Sequence, residues 1–451
     1  MKDIYFLIIF IFTLQIHFTV HAYQHPLAIL WKILNDQVNE YLEREDVLAI
    51  KEALVSSIME IIGEESFGGI YVDVKTNKLI VNINNPALEN SPLLDPYRDI
   101  LLFNIVDRSL GELKVQFDQD VGDAKRRNVT NSYIYIDVET NNVILRPNLP
   151  PGLNTQPFGP RKHVPMRPRQ VKPKVLAGEV DRSLGELKVQ FDQDVGDAKR
   201  RNVTNSYIYI DVETNNVILR PNLPPGLNTQ PFGPRKHVPM RPRQVKPKVL
   251  AGDGVFNRDN RKKNEVVGKT CSIGFYARGK KRDQRRNDTN YIITARSCYF
   301  KDSNLANNLY LRNWDTFTPH DGSNSFDVLP AIRNTDNPRY PNLYITDAKP
   351  AIIVGGHICH SGFGTHVTCG NIKALTAIYL NEDGSSSEGL IITDMNTRDG
   401  DIGGAIFFYK STETHHVDLC GIQVTSGSNI AAVLPSNIIL QNTKNLTLYK
   451  L

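Results

Sequence analysis

Residues 398–406 read Arg-Asp-Gly-Asp-Ile-Gly-Gly-Ala-Ile, a pattern that predicts a tight turn leading into an apolar strand. Such a turn holds the backbone N–H groups of Gly400 and Ile402 near each other and presents the side chain of residue 402. In an acyl-transfer site the presented side chain carries a hydroxyl or thiol, and the paired N–H groups bind the oxyanion. Here that side chain is a branched hydrocarbon. The sequence therefore predicts the frame of a catalytic turn without its nucleophile.

Short apolar segments separated by Gly, Asn and Asp surround this turn from residue 253 to residue 451. Strand patterns at this spacing, without helices between them, are typical of a sandwich or barrel. The region upstream differs from this. Residues 25–63 carry apolar residues at helical spacing, and residues 69–83 show a hairpin pattern. We therefore expect a mostly β domain preceded by a smaller α+β region.

An internal repeat lies between these two regions, because residues 106–178 and 180–252 are identical at all 73 positions. Repeats of folded units normally drift, since each copy has a different neighbour. Identity without drift indicates either a recent duplication or a fault in the gene model. Two identical modules cannot occupy one docking site at the same time. We predict that one copy packs against the C-terminal domain and that the other stays free.

Each copy ends in a Pro-rich basic segment. Six Lys or Arg residues and no acidic residue lie in 161–174, and the same six recur in 235–248. Without apolar periodicity these segments are predicted to be extended linkers. The alternative is an anchor for anionic glycans. The basic run at 280–286 lacks interleaved aromatic residues, which favours a solvated loop over a nucleic-acid site.

The N-terminus predicts secretion. Lys2, an apolar run over residues 4–14 and the sequence Val20-His21-Ala22 form a signal peptide over residues 1–22. No other segment approaches the ~20 apolar residues that span a bilayer, so we expect no membrane partner. The five cysteines all lie beyond residue 270. An odd number in a secreted, extracellular chain leaves one thiol without a partner in the monomer.

From residue 253 onward the chain resembles the chymotrypsin-like serine proteases, most closely the alpha-lytic protease and streptogrisin branch. In that branch Thr-Ala-Gly-His-Cys carries the general base, and residues 294–298 read Thr-Ala-Arg-Ser-Cys, so Ser297 stands at the His position. Gly-Asp-Ser-Gly-Gly-Pro carries the nucleophile, and residues 400–405 read Gly-Asp-Ile-Gly-Gly-Ala, so Ile402 stands at the Ser position. Asp327 matches the Asp that orients the base.

The resemblance implies further roles for residues of this domain. It implies an oxyanion hole formed by the N–H groups of Gly400 and Ile402, and a disulfide loop closed by Cys359 and Cys369. Cys298 could tie back to Cys271. The resemblance also implies that a short strand lines the primary specificity pocket: Thr425, Ser426 and Gly427.

The other cysteine and histidine positions leave alternatives open. His357, Cys359, His360 and Cys369 have the residue types of a zinc site, but in a secreted chain the disulfide is favoured. We predict no metal and no cofactor. Asn396 stands where the family has a cysteine, so Cys420 is predicted to be either buried and inert or paired between chains.

The fold implied by the resemblance is a double six-stranded antiparallel β-barrel over residues 253–451. The upstream region resembles the α+β pro-region of the same branch. It divides into an N-terminal part over residues 23–105, one module over residues 106–178 and its duplicate over residues 179–252. A mature chain of this kind would begin near residues 250–253.

The predicted function follows from the two positions at which the chain departs from the motifs of the family. Ile402 has no lone pair, and Ser297 cannot accept a proton at neutral pH. The sequence therefore predicts an inactive homologue, a pseudo-protease that binds a peptide, a glycan or a protein such as another protease. The alternatives are an active serine endopeptidase using non-standard residues and a relic without function. An inactive protease cannot remove its own pro-region, so the chain is predicted to persist intact unless another protease cuts the basic linkers.

Overall fold

The computed structural model describes most of the N-terminal region and most of the C-terminal domain. The predicted signal peptide, the basic run at 280–286 and the Pro-rich linkers up to residue 247 lie outside the described residues. The ranges described are 23–51, 54–147, 206–211, 216–221, 248–259, 265–279, 290–298, 309–314, 320–321, 327–411, 415–427, 429–443 and 446–451.

The N-terminal region consists of helices followed by a small sheet. The helices are α1 (Pro26–Trp31), α2 (Val38–Lys51) and α3 (Val55–Ile62), with 3-10 helices at Asn35–Gln37, Pro86–Asn90 and Pro92–Tyr97. The strands are β1 (Phe67–Asp73), β2 (Lys78–Ile83) and β3 (Leu101–Ile105). Strand β1 is antiparallel to β2, as the hairpin pattern predicts, and β3 joins β2 in parallel.

The first copy of the repeat is a helix and a hairpin. Helix α4 (Leu110–Arg126) begins at Ser109, whose hydroxyl accepts the Glu112 N–H while the Glu112 carboxylate accepts the Ser109 N–H. Strands β4 (Ser132–Asp137) and β5 (Asn142–Pro147) form the hairpin. The hairpin of the second copy consists of strands β6 (Ser206–Asp211) and β7 (Asn216–Pro221), which pair with each other.

The C-terminal part is mostly β. Its one α-helix among the described residues is α5 (Ser436–Asn442), and a 3-10 helix covers Arg296–Cys298. The strands are β8 (Lys248–Ala251), β9 (Gly254–Asp259), β10 (Glu265–Ser272), β11 (Phe275–Gly279), β12 (Asn290–Ile293), β13 (Leu309–Arg312), β14 (His320–Asp321), β15 (Asp327–Arg333), β16 (Asn342–Ala348), β17 (His357–Gly362), β18 (His366–Leu380), β19 (Ser386–Thr393), β20 (Ala405–Tyr409), β21 (His416–Gln423), β22 (Ala431–Pro435) and β23 (Leu446–Leu448).

Six of these strands close into a ring. Strands β20, β17, β18, β19, β22 and β21 pair in that order, every pair is antiparallel, and β21 pairs back to β20. This ring is one six-stranded antiparallel barrel. The other predicted barrel differs in the described residues, where β9, β10, β13 and β14 form one sheet and β11, β12 and β23 form another.

Strand β8 moves the predicted domain boundary. It is the last part of the duplicated segment, yet it pairs in parallel with β15 in the large sheet, and Leu250 and Ala251 are buried there. A boundary at residue 253 would cut this strand from its sheet. The folded C-terminal unit therefore begins at or before Lys248, and a mature chain beginning at residues 250–253 would lose part of the strand.

The first module docks on the barrel by strand pairing. Strand β4 runs antiparallel to β18, from Ser132 opposite Leu380 to Tyr135 opposite Ala377. Lys373 and Glu139 form an ion pair beside this contact. Within the described residues the second copy has no equivalent contact, because β6 pairs with β7 alone.

The N-terminal helices dock on the same barrel through a buried carboxylate and imidazole. Glu45 Oε1 accepts the backbone N–H of His357 at 2.6 Å, and Glu45 Oε2 lies 2.6 Å from His357 Nδ1. His357 Nε2 accepts a hydrogen bond from the Tyr409 N–H at 3.1 Å. The ring proton is therefore on Nδ1, which donates a hydrogen bond to Glu45. Trp31 packs edge-on against the same imidazole. One hydrophobic core runs across this interface, from Leu27 in α1 to Phe407 in β20.

This docking is expected to weaken in acid because of His25. Its ring lies 4.6 Å from the Tyr409 ring, and its Nδ1 accepts the Leu27 N–H at the start of α1. Burial, helped by the nearby His357, lowers the pKa of His25 from 6.5 to about 4. The docked state holds the neutral ring. The contribution of His25 to the stability of the docked state is therefore complete above pH 6.5 and is lost as the pH falls toward 4.

The measurement is the fluorescence of Trp31 between pH 7 and pH 4, isolated by subtracting the signal of a Trp31→Phe chain. The control is His25→Asn, whose side chain still caps α1 but does not titrate. We expect the acid transition of the His25→Asn chain to be smaller than that of the native chain. An identical transition in both chains would exclude His25 as its source.

Candidate functional site

The turn at residues 400–404 is fixed between the two halves of the C-terminal domain. Ser272, the last residue of β10, donates its backbone N–H to the Ile402 carbonyl at 2.8 Å and its hydroxyl to the Gly400 carbonyl at 2.6 Å. On the barrel side, the Gly403 N–H donates to the Gln423 carbonyl at 2.7 Å. The turn is therefore held from both sides, as a preorganised site requires.

Two glycines of the turn are required by its backbone. Gly400 has φ +100° and Gly403 has φ +89°, a region that residues with a Cβ rarely adopt. A Cβ on Gly403 would also collide with the Thr294 hydroxyl. This explains why the turn keeps its glycines.

Asp401 anchors the turn from inside. Its side chain is fully buried, and its two carboxylate oxygens accept four hydrogen bonds. Oδ1 accepts the N–H groups of Gly364 and Thr365 at 2.7 and 2.8 Å. Oδ2 accepts the Thr365 hydroxyl and the Arg398 N–H, both at 2.9 Å. A buried carboxylate needs such donors, so Asp401 couples the turn to the loop that follows β17.

Two backbone N–H groups of the turn, those of Gly400 and Ile402, lack a hydrogen-bond acceptor within the described ranges. Neither the Gly400 N–H nor the Ile402 N–H has a hydrogen-bond acceptor among the residues that the structure describes, although the neighbouring N–H groups of Asp401, Gly403 and Gly404 all do. Two such donors on one turn can hold a carbonyl oxygen or an anion. The turn therefore offers two backbone donors without an acceptor in the described part of the chain.

The chain segments that carry the three positions of the implied triad each place a residue against one apolar cluster. The Ile402 side chain packs against this cluster, which includes Cys271, Ile273 and Tyr276. Cys298 and Val328 pack against the same cluster, and they are the direct neighbours of Ser297 and Asp327. The three chain segments thus come together at one place.

Two of the three side chains at the implied triad positions are exposed. Ser297 is exposed in the 3-10 helix Arg296–Cys298, and Asp327 is exposed as the first residue of β15. Within the described ranges no hydrogen bond joins Ser297, Asp327 or Ile402 to one another. The hydrocarbon side chain of Ile402 is half-buried.

One imidazole lies near a hydroxyl elsewhere in the described part of the chain. His360 Nδ1 is 3.3 Å from the Thr368 hydroxyl, and His360 Nε2 is 3.8 Å from Asp401 Oδ1. Burial lowers the pKa of His360, which Asp401 opposes in part. The Thr368 hydroxyl donates to the Asn396 carbonyl at 3.2 Å. That proton is directed away from the imidazole, so this contact is a poor general-base pair.

The implied specificity segment lies after the end of β21 rather than in a strand, and it carries a contact that sequence reasoning did not anticipate. The Thr425 hydroxyl oxygen accepts the Ala432 N–H at 3.1 Å and also accepts a hydrogen bond from the hydroxyl of Tyr133 in the first module. Ser426 is half-buried, and the Gly427 N–H donates to the Thr397 hydroxyl at 3.4 Å. Tyr133 is fully buried. The docked module therefore reaches one wall of the implied pocket.

The cysteines pair as the sequence implies. Cys271 bonds to Cys298, and Cys359 bonds to Cys369, so these sulfurs are in disulfides rather than in a zinc site. Cys420 is unpaired and buried, and burial raises the pKa of its thiol to about 12. The thiolate is the reactive form of cysteine, so Cys420 matches the buried and inert alternative.

Comparison with known proteins gives structural neighbours only. No family model and no curated protein matches the chain. The chain is similar to protease A of Thermobifida fusca, with 18% identity over 45% of this chain and 99% of that chain and a TM-score of 0.33. It is also similar to a Cellulomonas bogoriensis chymotrypsin, with 22% identity over 45% of this chain and 100% of that chain and a TM-score of 0.32. It is similar as well to a Nocardiopsis protease, with 20% identity over 45% of this chain and 100% of that chain and a TM-score of 0.32.

These neighbours are chymotrypsin-like serine proteases. The similarity extends over less than half of this chain. No helix in the described ranges is long and apolar enough to cross a membrane.

Proposed function

We propose that this protein is a secreted, catalytically inactive homologue of the chymotrypsin-like serine proteases that acts by binding a peptide or protein. The observation that carries the proposal is the side chain of Ile402. It occupies the nucleophile position of an otherwise well-formed turn, and it packs against an apolar cluster rather than a base. An alkyl group cannot attack a carbonyl, whatever surrounds it.

The remaining parts of the site favour binding. The N–H groups of Gly400 and Ile402 point to capture of a carbonyl or carboxylate oxygen, because no described residue accepts from them. A site that binds a substrate and its transition state equally well holds a ligand without accelerating its reaction. The partner expected at this turn is a peptide segment, presented alone or as a loop of another protein.

Secretion is supported by two observations. The Cys271–Cys298 and Cys359–Cys369 disulfides persist in oxidising compartments and are rare in reducing ones. The first 22 residues have the composition of a signal peptide. We place the working protein outside the cell.

The test uses the full chain purified from culture medium and two probes. A fluorophosphonate reports a reactive serine or threonine, and fluorescein-labelled casein fragments report both cutting and binding. We expect no fluorophosphonate adduct by mass spectrometry, no cleavage of the fragments and a saturable rise in their fluorescence anisotropy. Ser426→Trp, which fills the implied pocket, is expected to weaken the anisotropy signal.

Thr368→Val serves as the matched control for non-standard catalysis, since it removes the hydroxyl beside His360. We expect this variant to behave like the native chain in all three measurements. An adduct on the native chain that disappears in Thr368→Val would favour the active endopeptidase instead.

A further inference from the structure

Strand β6 is a second copy of the strand that docks the first module. Residues 206–211 and residues 132–137 both read Ser-Tyr-Ile-Tyr-Ile-Asp. The two hairpins also share one register, because Ser206 faces Pro221 as Ser132 faces Pro147. The backbone of β6 is therefore built in the same way as that of β4.

The docking of β4 shows what this strand recognises. Four consecutive residue pairs join β4 to β18, and Tyr133 and Ile134 have no exposed surface in that arrangement. Strand addition of this kind draws affinity from main-chain hydrogen bonds and specificity from alternate side chains. Contacts beside the strand add to it, as the Asn131 amide donates to Glu382 at 2.8 Å.

Every module residue that makes these contacts recurs 74 positions later. The recurring residues are Asn205, Ser206, Tyr207, Ile208, Tyr209 and Glu213. By sequence, the second copy carries the full set of groups that face the barrel in the first copy.

The number of docking sites does not match the number of docking strands. Each chain has one β18, and β4 occupies it. Among the described residues, β6 pairs only with β7, so its other edge has no strand partner. We propose that β6 is an interaction surface and that its partner is strand β18 of a second copy of this chain, one whose own β4 is not docked. This surface is separate from the turn at 400–404 and does not depend on whether that turn is catalytic.

Strand β6 can bind β18 of another molecule only when the β4 of that molecule is not docked. Within one molecule β4 reaches β18 at a high effective concentration, because both belong to the same chain. A fully docked molecule therefore keeps its own β4. The spare strand captures molecules in which that contact has not formed or has been lost.

The experiment uses full chains with different affinity tags. The bait carries Leu380→Cys in β18 together with Ile134→Asp, which places a carboxylate at a buried position of β4. It also carries Ile208→Asp, the matching change in β6. The prey carries Ser206→Cys alone. The control prey carries Ser206→Cys and Ile208→Asp. After oxidation, we expect a disulfide-linked dimer of bait and prey on a non-reducing gel. With the control prey, the amount of disulfide-linked dimer should be at least about tenfold lower.

A chain with Leu380→Cys and Ser132→Cys is the positive control, because these residues face each other between β18 and β4 and should close a disulfide within one molecule. If the bait does not fold alone, co-expression with the prey, but not with the control prey, is expected to restore its secretion. The proposal is overturned if the positive control closes while the prey gives neither a disulfide nor rescue.

Discussion

Changing Ser297 to His and Ile402 to Ser in one chain is expected to create esterase activity that neither change gives alone. Members of a triad act as a unit, and removing one of them costs about as much as removing all, roughly 10⁴–10⁶ in turnover. The double variant should therefore exceed each single variant by about 10³-fold or more. The backbone donors at Gly400 and Ile402 are already in place for it.

The measurement is hydrolysis of p-nitrophenyl acetate, a substrate small enough to react without the pocket that Tyr133 contacts. A third change tests the orienting residue. Adding Asp327→Asn to the double variant should remove most of the gained activity, since the analogous loss in a working triad costs about 10⁴. If the double variant is inert while its circular dichroism is native, then the three segments do not form a triad when their side chains are restored. If Asp327→Asn has no effect, Asp327 is not the orienting residue.

Replacing Arg333 with Met is expected to lower the free energy of unfolding by about 3–5 kcal/mol, because it leaves the charge of Asp253 buried without its partner. The guanidinium of Arg333 forms a bidentate ion pair with Asp253, and both side chains are buried. Asp253 Oδ2 also accepts the Leu250 N–H at 2.8 Å. The pair therefore joins the segment after β8 to β15, the strand that begins at Asp327.

Urea unfolding followed by tryptophan fluorescence measures this effect. Trp314 is a suitable reporter, since its indole N–H donates to the Gly252 carbonyl at 2.8 Å, next to the ion pair. The matched control is Asp253→Asn combined with Arg333→Met, which removes both charges and keeps an acceptor for the Leu250 N–H. We expect the control to recover most of the lost stability. A double variant no more stable than Arg333→Met would contradict a role for charge burial.

Local sequence signals predicted the local features of this molecule. The hairpin patterns gave β1–β2 and β4–β5, and the Gly-Asp-x-Gly-Gly pattern gave a turn in which Gly400 and Gly403 both have positive φ. The cysteine motifs gave both disulfides. Each of these depends on residues close in sequence, where turn chemistry and strand alternation act directly.

Contacts between distant segments were not predicted, because no local pattern encodes them. Glu45 lies 312 positions from His357, and Tyr133 lies 292 positions from Thr425. The local sequence pattern around a Glu on an amphipathic helix, or around a Tyr in a hairpin, does not show whether the side chain faces solvent or another domain. Strand β8 was missed for a different reason: its four residues follow a Pro-rich basic segment whose composition indicates a linker.

The position of β8 at the end of the repeat has one more consequence. Residues 148–221 make up a full period of 74, and the residue after them, Asn222, repeats Asn148. Excising that stretch would join β5 to a 26-residue connection and then to β8, with an unchanged sequence across the junction. A connection of that length reaches at most about 90 Å, which is ample for a protein of this size. A transcript that skips one period would thus encode a chain with every strand of the barrel and its docked hairpin, lacking one period of the repeat, which includes the second hairpin.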